Sequence, residues 1–178
     1  MGDVRNDPVL PAKPTITLGL SGLSCPAPLL GAKRVLDDLE AGQVFVNQFF
    51  AGGVEPNISL KLTQLGIGVD RAACVDNLRR ILERGRAQGF FIRIDMENSP
   101  WTQLTLDIFQ TVWDLGYRNV GVVLQASLYR SEQDVVALNA LGARVRLVKG
   151  AYKEPATIAH QRKAEVDAAF LRIMRRQI

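Results

Sequence analysis

The chain has 178 residues, of which 47% are hydrophobic and 22% charged. This is ordinary globular usage and excludes a disordered, collagen-like or disulfide-scaffold protein. The net charge of +4 is mildly basic and is no nucleic-acid signature by itself. Nine basic residues lie between Arg144 and Arg176, several at helical spacing. They read first as a solvated helix face, with an anionic cofactor or a phosphate surface as the sharper alternative. A complete eight-fold β/α barrel typically needs about 250 residues, more than are present.

Cys25 and Cys74 lack metal-ligand spacing, and the single His160 has no partner ligand, so no metal site is expected. Cysteine usage of this kind fits a reduced, cytoplasmic setting. No 18-residue apolar run exists, and Met1 to Lys13 lacks the apolar centre of a signal peptide. At most peripheral contact with the inner face of a membrane is expected.

In chain order, residues 1–13 read as a flexible tail and residues 14–54 as a small β-α-β-like segment. Thr15 to Leu20 alternates like a strand. Ser24-Cys25-Pro26-Ala27-Pro28 opens a helix carrying Leu29, Leu36 and Leu39, and Val44–Val46 reads as a strand. From residue 55 to 178 the pattern becomes regular. Four strand-like runs, Ile58–Leu62, Phe90–Met96, Val120–Leu124 and Val145–Val148, each precede a helical segment. The first helix spans about Arg71 to Gln88, with Cys74, Leu78, Ile81 and Leu82 on one face, Asp70 as its cap and Gly89 as its stop. The second starts near Thr102 and turns Leu104, Ile108, Val112 and Leu115 inward. The third starts at Ser131, with Asp134 in capping-box position, and buries Val135, Leu138 and Leu141. The fourth starts near Pro155 and carries Val166, Phe170 and Ile173. Alternating strands and helices imply an α/β fold with a parallel sheet, here a partial (β/α) barrel of about four units.

In such sheets ligands bind beyond the carboxyl ends of the strands. Parallel strands covered on both faces are normally apolar throughout, yet these runs carry Lys61, Asp95, Gln125 and Arg146 at corresponding places. A lone strand Lys or Arg is usually a surface residue. Four polar groups in successive units, costly to bury unless paired or matched to a ligand, point to a pocket for an anionic or zwitterionic small molecule. Glu97 could be a general base, although an acid after a strand more often caps the next helix. No Gly-rich dinucleotide fingerprint, phosphate loop or serine nucleophile elbow is present.

The segments Asn57–Gly66, Arg93-Ile94-Asp95-Met96-Glu97, Val122–Ala126 and Val145-Arg146-Leu147-Val148-Lys149-Gly150-Ala151-Tyr152-Lys153-Glu154-Pro155 together resemble, in order and spacing, the barrel motifs of the proline dehydrogenase family. The resemblance implies a distorted β/α barrel that binds FAD, oxidises L-proline to Δ1-pyrroline-5-carboxylate and passes electrons to a quinone. It also implies catalytic roles for Lys61, Asp95 and Arg146, and flavin-side roles for Gln125, Arg146, Lys149 and Tyr152. Arg146 would stabilise charge developing on the flavin ring. A mutually compensating Lys61–Asp95 pair is expected. The sequence departs from the family pattern at Ser127, Asn98 and Trp101, where Tyr, Asp and Tyr are usual. The family's later strands and its final helix have no counterpart here, so the isolated chain is expected to be inactive or to need a partner, with assembly into a homo-oligomer as one route.

Gly22–Pro28, with Ala32, Lys33, Leu36, Leu39 and Gly42, is similar to small sulfur-carrier proteins with a Cys-Pro-x-Pro motif, in which a cysteine at a helix start is activated. Leu39–Asn47 is weakly similar to a segment of aldehyde dehydrogenases. The alternatives to proline oxidation are therefore a sulfur-carrier or binding module using Cys25, or a non-catalytic half-barrel.

Overall fold

The structure, a computed structural model, describes the backbone of residues 15–19 and 55–177 and the side chains of residues 56–177. The expected tail, the Cys25 turn, the helix through Leu29–Leu39 and the strand at Val44–Val46 lie outside the described residues. In chain order the elements are β1 (Thr15–Gly19), β2 (Glu55–Leu60), α1 (Leu62–Leu65), α2 (Arg71–Ala87) and β3 (Phe91–Ile94), followed by α3 (Ser99–Asp114), β4 (Val120–Gln125), α4 (Ser131–Ala140), β5 (Arg144–Val148) and α5 (Lys163–Arg176). The five strands form one parallel sheet in sequential order. The expected α/β architecture of repeated parallel units is thus observed, and β1 lies beside β2 within the same sheet.

Strand register sorts the side chains into two faces, because neighbours in parallel register point the same way. Ile58, Leu60, Ile92, Ile94, Val122 and Leu124 pack with Leu78, Ile81, Leu82, Ile108, Val112 and Val135 of the helices in one apolar core. Each fully buried Leu or Ile there contributes about 1.5–3 kcal/mol of transfer free energy. The other face carries Asn57 and Ser59, Phe91 and Arg93, Gly121, Val123 and Gln125, and Arg144, Arg146 and Val148. This second face is the polar one anticipated from the sequence.

The helices follow their apolar periodicity. Cys74, Leu78, Ile81 and Leu82 are fully buried, and the Asp70 carboxylate caps α2 by accepting from the backbone N–H of Ala72 and Ala73. Cys74 sits under α1, 3.7 Å from the Leu62 carbonyl, and burial pushes its thiol up to about 12.

Several boundaries differ from expectation. β2 ends at Leu60, and the polar residues after it begin the short helix α1. Helix α3 starts at Ser99, three residues before Thr102, because Pro100 suits a first helical turn. Leu115 is 56% exposed, since it lies past the last turn of α3. Ser131 is buried rather than capping: its hydroxyl donates to the Gln125 carbonyl at 2.6 Å, while Asp134 accepts from Arg130. Helix α5 begins at Lys163, not near Pro155. Before it, the Pro155 carbonyl accepts from the N–H of Ile158 and Ala159, and Ala159 bridges back to Leu128. These local bonds close a single turn, and cross-chain bonds from the Tyr129 N–H to the Ile158 carbonyl and from the His160 N–H to the Ser127 carbonyl hold it as a strap separate from α5. No helix among the described residues is long and apolar enough to cross a membrane.

Candidate functional site

Each βα unit from β2 to β5 delivers a polar side chain at or near its carboxyl end. Lys61 follows β2 at the start of α1, where its N–H donates to Gln64 Oε1 at 3.3 Å. Asp95 follows β3, its N–H donating to the Leu60 carbonyl at 2.8 Å. Gln125 closes β4 and is only 4% exposed. Arg146 lies in β5, in register with Val123. Tyr152 follows in the connection to α5. Together with Gly150 these five residues line one pocket of about 360 Å³.

Arg146 is the electrostatic centre of the pocket. Its Nη2 donates to Asp95 Oδ1 at 2.5 Å. The expected Lys61–Asp95 pair is therefore replaced: Asp95 takes Arg146 as its direct partner, and Lys61 acts on it only as a charge through space. The physical reason is register, since Arg146 projects from the strand toward the mouth while Lys61 starts a helix. Burial holds the Asp95 carboxyl above its ordinary value, outweighing the opposing pull of Arg146, then Lys61 and Arg93. Burial, followed by the charges of Glu97, Asp95 and Glu154, likewise holds the Tyr152 phenol above its usual range.

Lys149, expected on the flavin side, has an ion-pair partner of its own. It borders the pocket, but its ammonium turns away from the mouth to Asp167 of α5 at 2.5 Å. Successive strand residues point to opposite faces. A mouth that receives Arg146 and Val148 therefore sends the next side chain to the helical side.

Two acids hold the mouth together through partners that the sequence did not reveal. Glu97 accepts from Thr63 N–H at 3.2 Å and from Thr63 Oγ1 at 2.8 Å, and its own carbonyl accepts from Gln125 Nε2 at 2.8 Å. It thus caps α1, the helix preceding it, rather than the helix that follows. Glu154 accepts from Ser99 N–H at 2.7 Å and Ser99 Oγ at 2.6 Å. No local spacing could reveal partners 34 and 55 residues apart.

The pocket suits a group that accepts hydrogen bonds. Arg146 Nε is buried and has no hydrogen-bond partner among the described residues, an orphan donor that is costly unless a ligand satisfies it. Gly150 leaves the space beside Gln125 open, because a Cβ there would lie 3.4 Å from Gln125 Oε1 and 2.3 Å from Ser127 Oγ.

Parallel βα units with a charged pocket at the carboxyl ends of the strands define an α/β protein of repeated βα units with a candidate ligand site. Residues 32–178 match the family model described as proline dehydrogenase, so the match begins within the 14–54 segment. A Deinococcus radiodurans protein named proline dehydrogenase is 41% identical over 128 residues, covering 70% of this chain and 41% of that protein. Proline dehydrogenase 2 of Bacillus subtilis strain 168 is 40% identical over 122 residues, covering 68% of this chain and 40% of its own length. This chain belongs to the proline dehydrogenase family. It matches about two-fifths of the length of these two relatives. The solved structure of proline utilization A from Bdellovibrio bacteriovorus, inactivated by N-propargylglycine, superposes with a TM-score of 0.70 at 25% identity, over 88% of this chain and 20% of that one.

Proposed function

We propose that this chain forms the flavin- and proline-facing part of a proline dehydrogenase, with FAD as cofactor, L-proline as substrate, Δ1-pyrroline-5-carboxylate as product and a quinone as electron acceptor. The carrying observation is that Lys61, Asp95, Gln125, Arg146 and Tyr152, from four successive βα units, line one pocket. Family membership and the names of the relatives support the same reading.

When bound, FAD would supply the hydride acceptor. Arg146 and Gln125 would hold it: the guanidinium has an unpartnered buried Nε, and the amide is already oriented by the Glu97 carbonyl. A cation fixed in advance stabilises negative charge where it develops, with little reorganisation. Asp95 orients that guanidinium through its ion pair. Lys61 contributes a positive field suited to the carboxylate of an amino-acid zwitterion. Tyr152 supplies an aromatic wall at the rim.

Titration of the purified chain with FAD tests the site, and bleaching of the bound flavin by L-proline under anaerobic conditions tests the reaction. A perturbed flavin spectrum is expected, with FAD affinity reduced about tenfold or more in Gln125→Ala and Arg146→Met, as for loss of a buried hydrogen bond to a charged or polar partner. A spectrum that stays that of free FAD would overturn the reading, as would variants that bind FAD as well as the parent.

A further inference from the structure

We propose that Glu154 is a positioning residue: it clasps the β5–α5 connection onto the start of α3 and thereby holds Tyr152 at the rim of the pocket. The inference deepens the functional reading above and rests on it only for the meaning of the pocket.

Helix α3 begins without a side-chain cap of its own. Asn98 occupies the cap position but makes no capping bond, and Pro100 has no N–H to offer. The first turn of a 16-residue helix then presents unsatisfied donors at its positive end. Glu154 fills that role from 55 residues away, using both carboxylate oxygens, one for Ser99 N–H and one for Ser99 Oγ. A charge-assisted pair of this kind is directional and stronger than neutral hydrogen bonds.

The same connection is fixed a second time just before Tyr152. Gly150 adopts φ +111°, and a Cβ there would collide with Ser127 Oγ at 2.3 Å. Only glycine allows the chain to cross the end of β4 this closely. The Ser127 N–H donates to the Lys149 carbonyl at 2.8 Å and reinforces the crossing. Between the Gly150 crossing and the Glu154 clasp run just Ala151, Tyr152 and Lys153. A bridge that short has little freedom once both ends are held. Tyr152 is 41% exposed, so packing alone does not hold it; the clasp does.

The test uses the full 178-residue chain and the variants Glu154→Ala, Glu154→Gln and Ser99→Ala. The first readout is the rate of trypsin cleavage after Lys149, a bond whose immediate flanks no variant alters, compared with cleavage after Arg79 and Arg80 in α2. The second is the ultraviolet titration of the Tyr152 phenol, isolated by subtracting the Tyr152→Phe chain. In Glu154→Ala, cleavage after Lys149 is expected to rise about fivefold or more, the factor that loss of one cap contact produces in a local opening equilibrium, and in Ser99→Ala, which keeps the backbone N–H contact to Glu154, to rise measurably but by less. The Tyr152 phenol is expected to titrate closer to an ordinary tyrosine in both, including Ser99→Ala, which leaves the Glu154 charge in place. Glu154→Gln keeps an acceptor for Ser99 N–H and should recover most of the protection. Unchanged cleavage and an unchanged phenol in Ser99→Ala and Glu154→Ala would overturn the proposal. So would an equal rise at Arg79 and Arg80, which would mark general loosening. Neither readout needs flavin or turnover, so a chain that binds no FAD sinks the functional reading and leaves this test intact.

Discussion

Asp95 and Arg146 show how one ion pair sets the character of the pocket. Burial disfavours the charged carboxylate, and the opposing cations only partly offset it. The folded chain therefore holds the Asp95 proton to a higher pH than the unfolded chain does. The stability cost of ionising it is absent below the ordinary carboxylate pKa of about 4, grows as pH rises through the window up to the folded value, and is constant above it. Asp95→Asn removes this titration. Urea unfolding of both chains across the acid range should show the variant's stability, relative to the parent, rising with pH through that window. A difference that is flat, or that falls with pH, would contradict the assignment. At this scale the sequence was informative where a polar residue interrupted or closely followed an apolar strand run, as for Gln125 and Arg146 in their strands and Asp95 just after β3. It carried no sign that Lys149, just after β5 at the pocket border, pairs its ammonium with Asp167.

The elements are held in place by contacts at their ends and close approaches. Strands β4 and β5 meet tightly at Gly121: a Cβ there would lie 2.5 Å from the Arg144 carbonyl and 2.6 Å from Phe91 Cζ. The Phe91 ring is flanked by the Arg144 guanidinium at 4.0 Å and by that of Arg93 at 5.6 Å from its centroid. Gly121→Ala must displace either backbone or this stacked ring, and it should destabilise the chain by about 1–3 kcal/mol, as overpacking does. Chemical denaturation with an unchanged slope and a lower midpoint would bear this out; an unchanged midpoint would refute it. Helix α2 was legible in full, because its apolar stripe, the Asp70 cap and Gly89 are local signals. The start of α5 was not, because the strap before it bonds to Leu128 and Ser127, far away in sequence.

For the molecule as a whole, the apolar core lies on one side of the sheet and the polar face on the other. A ligand that satisfies the orphan Arg146 Nε binds the folded chain and not the unfolded one, so it must stabilise the fold by mass action. FAD at a hundred times its dissociation constant should add about 2.7 kcal/mol, seen as a higher thermal midpoint. The shift should shrink in Gln125→Ala at the same FAD concentration, and a midpoint indifferent to FAD would argue against a flavin site. By itself the sequence determined the alternation of strands and helices, the buried faces of α2 to α4, the parallel sheet and the polar residues at its carboxyl ends. These follow from periodicity, caps and the cost of burying charge, all readable over a few residues. Only the tertiary structure decided that Asp95 pairs with Arg146 rather than Lys61, that Lys149 at the pocket border pairs its ammonium with Asp167, and that Glu97 and Glu154 join the rim to α1 and α3. Those contacts depend on register between strands and on loops that meet in space across 18 to 55 residues, distances over which no local pattern in the chain carries information.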